Sequence, residues 1–300
     1  METSPEKLTL PVEVPPEKRA MLTALTEQLA AIPGLQAVVL GGSYAQGTQR
    51  PESDLDLGLY YREQSPFAID AIRQVASAIS PDQPPVVTDF YEWGAWVNGG
   101  AWIHTAAGKV DFLYRNLDHV RRVISDAQAG KVALDYAQQP PYGFRSVIYL
   151  AETHICLPLV DPVGTIADLK RAVIPYPSRL KAGVIHNSLW SVEFTLLHAR
   201  SFAGQGDVYN TVGCLTRALS DLTQVLFALN EAYFISDKRA LATIETFPLK
   251  PDAYAARVTD ILAHPGGTAE ALAQTVDALS ALFRDAVELA GSAYQPKFAL

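Results

Sequence analysis

Residues 40–56 read LGGSYAQGTQRPESDLD, and the fold turns on how this stretch is understood. Asp54 and Asp56 stand two apart at the start of a segment, residues 55–61, that has the composition of a strand. Their side chains therefore leave the same face, roughly 7 Å apart along it. Two carboxylates held so repel each other. An oxygen-seeking cation such as Mg²⁺, which takes a few carboxylates together with substrate phosphates, relieves that repulsion. An isolated Asp-x-Asp is also common on protein surfaces. The preceding Leu40-Gly41-Gly42-Ser43 runs from an apolar strand, residues 37–40, into two glycines and a serine, an arrangement that turns backbone N–H groups toward an anion. The plainer reading is a strand-to-helix turn with Ser43 as its N-cap and Gly47 as the helix C-cap.

Working outward, residues 17–31 place Met21, Leu22, Leu25 and Leu29 at helical spacing, and Pro33-Gly34 ends that helix. Residues 1–16 are expected to form a Pro-rich, weakly ordered leader. Downstream, residues 67–79 are expected as a helix and residues 86–91, 102–105 and 109–114 as strands. This order predicts a small α/β domain with a mixed sheet over residues 17–118. Residues 119–300 are expected to form a mostly α-helical C-terminal domain, clearest over 188–203, 209–233 and 268–289. A short helix over 161–173 is expected between loops at 138–143 and 174–177.

Taken together, Gly41-Gly42-Ser43-Tyr44-Ala45-Gln46-Gly47 and Ser53-Asp54-Leu55-Asp56 resemble the signature of the DNA-polymerase-β-like nucleotidyltransferases: Gly-Ser, a glycine four residues after the serine, then Asp-x-Asp on the next strand. The resemblance implies a third carboxylate on a later strand. Asp111 is favoured because it is the single acid among Val110, Phe112 and Leu113, where an unpaired buried charge is costly. Asp89 is the competitor. On this resemblance Asp54, Asp56 and Asp111 are the catalytic and metal-binding residues for two Mg²⁺ ions, with Mn²⁺ as an alternative, and Asp111 takes a proton from the acceptor hydroxyl. Gly42 and Ser43 hold the β- and γ-phosphates of an NTP, ATP among them. A nucleoside monophosphate passes to a hydroxyl and pyrophosphate leaves. Lys238, after a long helix at an expected turn, is the first choice for a basic residue reaching the triphosphate, with Arg179, Lys181 and Arg217 as alternatives. The helical half is similar in kind to the domain appended in aminoglycoside- and lincosamide-type nucleotidyltransferases, by helical content alone. The rival class is a non-catalytic nucleotide-binding or regulatory module, or part of a toxin–antitoxin pair. A degenerate member of that kind would be expected to lose a carboxylate.

Charge bears on the partner. Residues 1–118 carry 8 Lys/Arg against 15 Asp/Glu, a net of −7, whereas residues 119–300 carry 16 against 17. A surface that tracks many phosphates of a long nucleic acid is strongly basic, so a small-molecule acceptor is favoured over tRNA or a protein. Arg121, Arg122, Lys170, Arg171, Arg179 and Lys181 form the modest basic cluster that keeps tRNA open. Two cysteines far apart, an acidic Pro-containing start and no uninterrupted apolar run of membrane-spanning length lead to the expectation of a cytoplasmic protein without a membrane partner. A homodimer is left open. Trp93, Trp96 and Trp102 crowd a Gly-rich stretch, as a stacking surface for a ring or as aromatics packed onto the helical half.

Overall fold

The computed structural model describes residues 13–298. Most of the expected leader lies outside that range. In chain order the elements are α1 (Pro16–Ala30), β1 (Leu35–Leu40), α2 (Gly42–Gln46), β2 (Leu55–Tyr61), α3 (Ile69–Ala78), β3 (Val86–Val87), β4 (Gly100–Thr105), β5 (Gly108–Asn116) and α4 (Leu117–Gln128). They continue with β6 (Leu134–Asp135), β7 (Phe144–Arg145), α5 (Val147–Ile155), β8 (Leu157–Val160), α6 (Thr165–Ala172), α7 (Ser178–Gly204) and α8 (Val208–Leu229). Among the described residues α9 (Ala240–Ile244), α10 (Tyr254–Ala263) and α11 (Ala269–Ala290) follow, and then a 3-10 turn at Gly291–Ala293.

These elements form two compact units. The first runs through Ser125 and takes in Tyr149–Pro175, so it is discontinuous in sequence. Its six-stranded sheet has the order β3-β4-β5-β2-β1-β8, with β2 and β5 parallel and the other pairs antiparallel. One face is apolar. Leu55, Leu57, Leu59, Val110, Phe112 and Tyr114 are buried on it, together with Leu22, Leu25 and Leu29 of α1. Each such side chain removed from water contributes about 1.5–3 kcal/mol.

The expected end of this domain at residue 118 needs revision. Residues 149–175 return to the sheet, where β8 pairs with β1 as an edge strand. Pro158, which lacks a donor, is tolerated at such an edge. Arg115 at the end of β5 fastens the return: its Nε and Nη2 donate to Glu152 of α5 at 2.9 and 2.8 Å. The strand expected over 86–91 shortens to Val86–Val87, because the chain turns and Tyr91 takes φ +62°.

The second unit, Asp126–Ile148 with Tyr176–Leu300, is helical apart from the β6–β7 hairpin, and α7 packs along α8 and α11. Among the described residues α8 alone has the length and apolarity of a membrane span. It is a core helix here, with Leu215, Leu222, Val225 and Leu226 buried and Asp221 ion-paired to Arg145 at 2.7 Å. Buried Glu193 of α7 accepts from the backbone N–H of Lys297 (2.7 Å) and Phe298 (2.6 Å) and from the Tyr294 hydroxyl, which fixes the last described residues to the helix.

Candidate active site

The side of the sheet opposite the core carries the polar residues of the motif. In β2 the alternation buries Leu55 and Leu57 and leaves Asp56 half-buried, and in β5 it buries Val110 and Phe112 around Asp111. The parallel register sets Asp56 directly beside Asp111. Adjacent strands lie about 4.8 Å apart, so the two carboxylates are neighbours on one face. Asp54, two residues before Asp56, continues that face at the mouth of the strand. Asp89 does not join this row. It lies beyond the end of β3 and is exposed, and its N–H donates to the Glu92 carboxylate at 2.9 Å.

The glycine turn closes on the same carboxylates. The Gly41 N–H donates to the Asp56 carbonyl at 2.8 Å, which carries the β1–β2 pairing one residue past the strand. Gly42 then takes φ +58°, and a Cβ there would fall within the Asp56 carboxylate. Only glycine lets the turn lie so close. Ser43 follows in the first turn of α2, whose leading N–H groups have no intrahelical acceptor, although Ser43 is not the N-cap: Gly41 is, without a side-chain cap. Gly47 ends α2 in the left-handed region, so the last glycine of the signature is a helix C-cap.

A residue not singled out from the sequence holds the motif together. Lys18 of α1 is buried, donates to the carbonyls of Pro51 (3.1 Å) and Ser53 (2.5 Å), and sits 5.5 Å from the centroid of the Tyr44 ring. One ammonium thus grips both the loop that delivers Asp54 and the helix that follows Gly42. A lysine in an amphipathic helix reads as a solvated residue, so no sequence signal distinguishes it.

Lys238 lies in an exposed turn between α8 and α9 of the second unit. Of its alternatives, Lys181 is ion-paired to Glu231 at 2.8 Å and Arg179 is exposed. The expected basic cluster is largely occupied: Lys170 caps α5 through the carbonyls of His154 (2.6 Å) and Cys156 (2.8 Å), and Arg171 pairs with Asp168.

Residues 22–100 match the family model described as a nucleotidyltransferase domain. Residues 22–100 of the first unit are thus similar to a nucleotidyltransferase domain. The match spans Gly42, Ser43, Asp54 and Asp56 of this domain and stops before Asp111. Among solved structures, a nucleotidyltransferase-like protein from Exiguobacterium sibiricum 255-15 is similar at 13% identity, over 92% of this chain and 78% of that one, with a TM-score of 0.47. No curated protein matches the chain.

The donor set formed by Asp54, Asp56 and Asp111 suits a hard cation, since it offers only carboxylate oxygens. Among the described residues no three His, Cys, Asp or Glu side chains gather tightly enough to hold a metal unaided.

Proposed function

We propose that the protein transfers a nucleoside monophosphate from an NTP to a hydroxyl of an acceptor, releasing pyrophosphate, with Asp54, Asp56 and Asp111 as the catalytic and metal-binding carboxylates. The observation that carries this reading is the side-by-side register of Asp56 and Asp111 with the Gly42 turn closed against Asp56. Bound Mg²⁺ would neutralise the triphosphate and the charge that develops on transfer. The N–H groups of Gly42 and Ser43 hold the terminal phosphates, as the opening turn of a helix does for anions. Asp111 accepts the proton of the attacking hydroxyl, and Lys18 keeps the Asp54 loop in place. Positioning and charge complementarity supply most of the rate.

The acidic sequence through residue 118 and the engagement of Lys170, Arg171 and Lys181 favour a small-molecule acceptor over tRNA. The absence of a compact three-carboxylate cluster among the described residues is what favours the second reading, a nucleotide-binding module without catalysis. The two separate when the protein is incubated with Mg²⁺, each α-labelled NTP and a panel of hydroxyl compounds. Labelled product that vanishes in Asp54→Ala/Asp56→Ala supports transfer, whereas nucleotide binding with no product from any pair supports the module.

A further inference from the structure

The tryptophans crowded around residues 93–102 divide into two groups. Trp96 packs at 5.1 Å from His119 and 6.2 Å from Tyr149, and its carbonyl accepts from the Tyr149 hydroxyl at 2.6 Å. Trp93 and Trp102 instead stack on each other, with centroids 4.7 Å apart and planes at 24°. The register places that stack beside the carboxylates. Trp102 is the antiparallel partner of Asp111, and Asp111 is the parallel partner of Asp56. Directly opposed residues share a face, so Asp56, Asp111 and Trp102 form one row across the sheet, with the Gly42 turn closed on its Asp56 end. The alternation of β4 agrees, burying Ala101 and Ile103 while Trp102 stays 50% exposed. Gly100 makes room for the arrangement: a Cβ there would meet the Trp93 ring at 2.9 Å as well as the Phe112 carbonyl.

An indole half in water, with one side covered by another indole and in register with an acid of the reaction centre, offers a flat apolar surface beside the carboxylates. We infer that the Trp93–Trp102 stack is the acceptor platform, and that the acceptor is a hydroxyl compound whose ring presents a flat apolar face, an aromatic ring or the C–H face of a sugar. This rests on the nucleotidyl-transfer reading. The order along the row assigns the occupant. In-line displacement puts the attacking oxygen and the departing pyrophosphate on opposite sides of the α-phosphorus. The Gly42 turn, which takes the triphosphate, lies at the Asp56 end, so the Trp102 end lies on the attacking side. There Asp111 stands next to the ring and within one strand spacing of its substituents, about 4.8 Å. The hydroxyl oxygen bonds to the α-phosphorus, the bond from that phosphorus to the bridging oxygen breaks, and the hydroxyl proton passes to Asp111.

The test uses the full chain with Mg²⁺ and α,β-methylene-ATP, which cannot react. Phenyl β-D-glucopyranoside is the ring probe and sorbitol its open-chain control, both followed by ligand-observed saturation-transfer NMR, while calorimetry reports nucleotide binding. The ring probe should bind saturably and sorbitol should not. Trp102→Ala should weaken the probe at least about tenfold and Trp102→Phe about threefold or less, with nucleotide affinity unchanged in both. Equal probe binding by Trp102→Ala, or no probe binding by the wild type that still binds nucleotide, overturns the platform. Loss of nucleotide affinity in Trp102→Ala with the probe retained overturns it too, by giving the stack to the base. A wild type that binds neither this analogue nor any of the other NTPs contradicts the nucleotidyl-transfer reading itself.

Discussion

Gly42 and Lys18 show how much of the site depends on single side chains, or on the lack of one. At φ +58° and with the Asp56 carboxylate where a Cβ would go, Gly42→Ala must move either the turn or the acid. A displacement near 1 Å at a reacting centre costs about a hundredfold. Pyrophosphate release by Gly42→Ala is therefore expected to fall by about that factor while the circular dichroism spectrum stays that of the wild type. Lys18→Met acts differently, since it leaves the Pro51 and Ser53 carbonyls without their donor. Stranding such groups costs about 1–3 kcal/mol, so a urea midpoint lowered to match, together with weaker Mg²⁺ affinity, is expected. A Lys18→Met protein as stable as the wild type would remove Lys18 from the account.

At the scale of elements, α4 carries the half-buried His119 and α5 the more exposed His154. Burial lowers the pKa of His119, with Arg122 adding to it, and burial lowers that of His154, with Lys170 adding to it. The sign follows directly: the folded state prefers both rings neutral, so the unfolded chain binds more protons as pH falls below the ordinary value of 6.5. The stability they contribute is present above that pH and is lost below it. Denaturant titrations at pH 7.5 and 5.0 should show this loss, and His119→Gln/His154→Gln should lessen it. The same elements show where sequence reasoning succeeds and stops. α1 and β2 carry unbroken helical or strand patterns and are legible almost to the residue, whereas α8 starts as expected but ends at Leu229, four residues before the expected end at 233. β8 is not, because Leu157-Pro158-Leu159-Val160 is short and holds a proline, and its place beside β1 is a long-range pairing that no local pattern records. The strand expected over 86–91 fails for the opposite reason: its apolar residues feed an aromatic cluster, Phe90 lying 4.5 Å from Tyr61, rather than a ladder. For the site, the spacing from Gly41 to Asp56 makes most of it readable. The position of Lys18 and the Trp102–Asp111 register depend on tertiary contacts.

At the scale of the whole molecule, the first unit is discontinuous, and residues 149–175 belong to it. A fragment ending at residue 118 would expose the β1 edge that β8 covers and leave the 5%-exposed Arg115 without Glu152. Breaking a buried ion pair by removing one partner costs about 3–5 kcal/mol, a large share of a domain's stability. That fragment should aggregate or elute as an expanded species in size-exclusion chromatography, whereas the full chain should not. Catalysis is asked of the first unit's own row of residues, Gly42, Asp56 and Asp111, with Asp89 outside it. The direct measurement is pyrophosphate release with Mg²⁺ and NTP by Asp111→Asn and Asp89→Asn side by side. Asp111→Asn should lose about a thousandfold and Asp89→Asn should match the wild type; an active Asp111→Asn, or an Asp89→Asn that is the inactive one, contradicts the account.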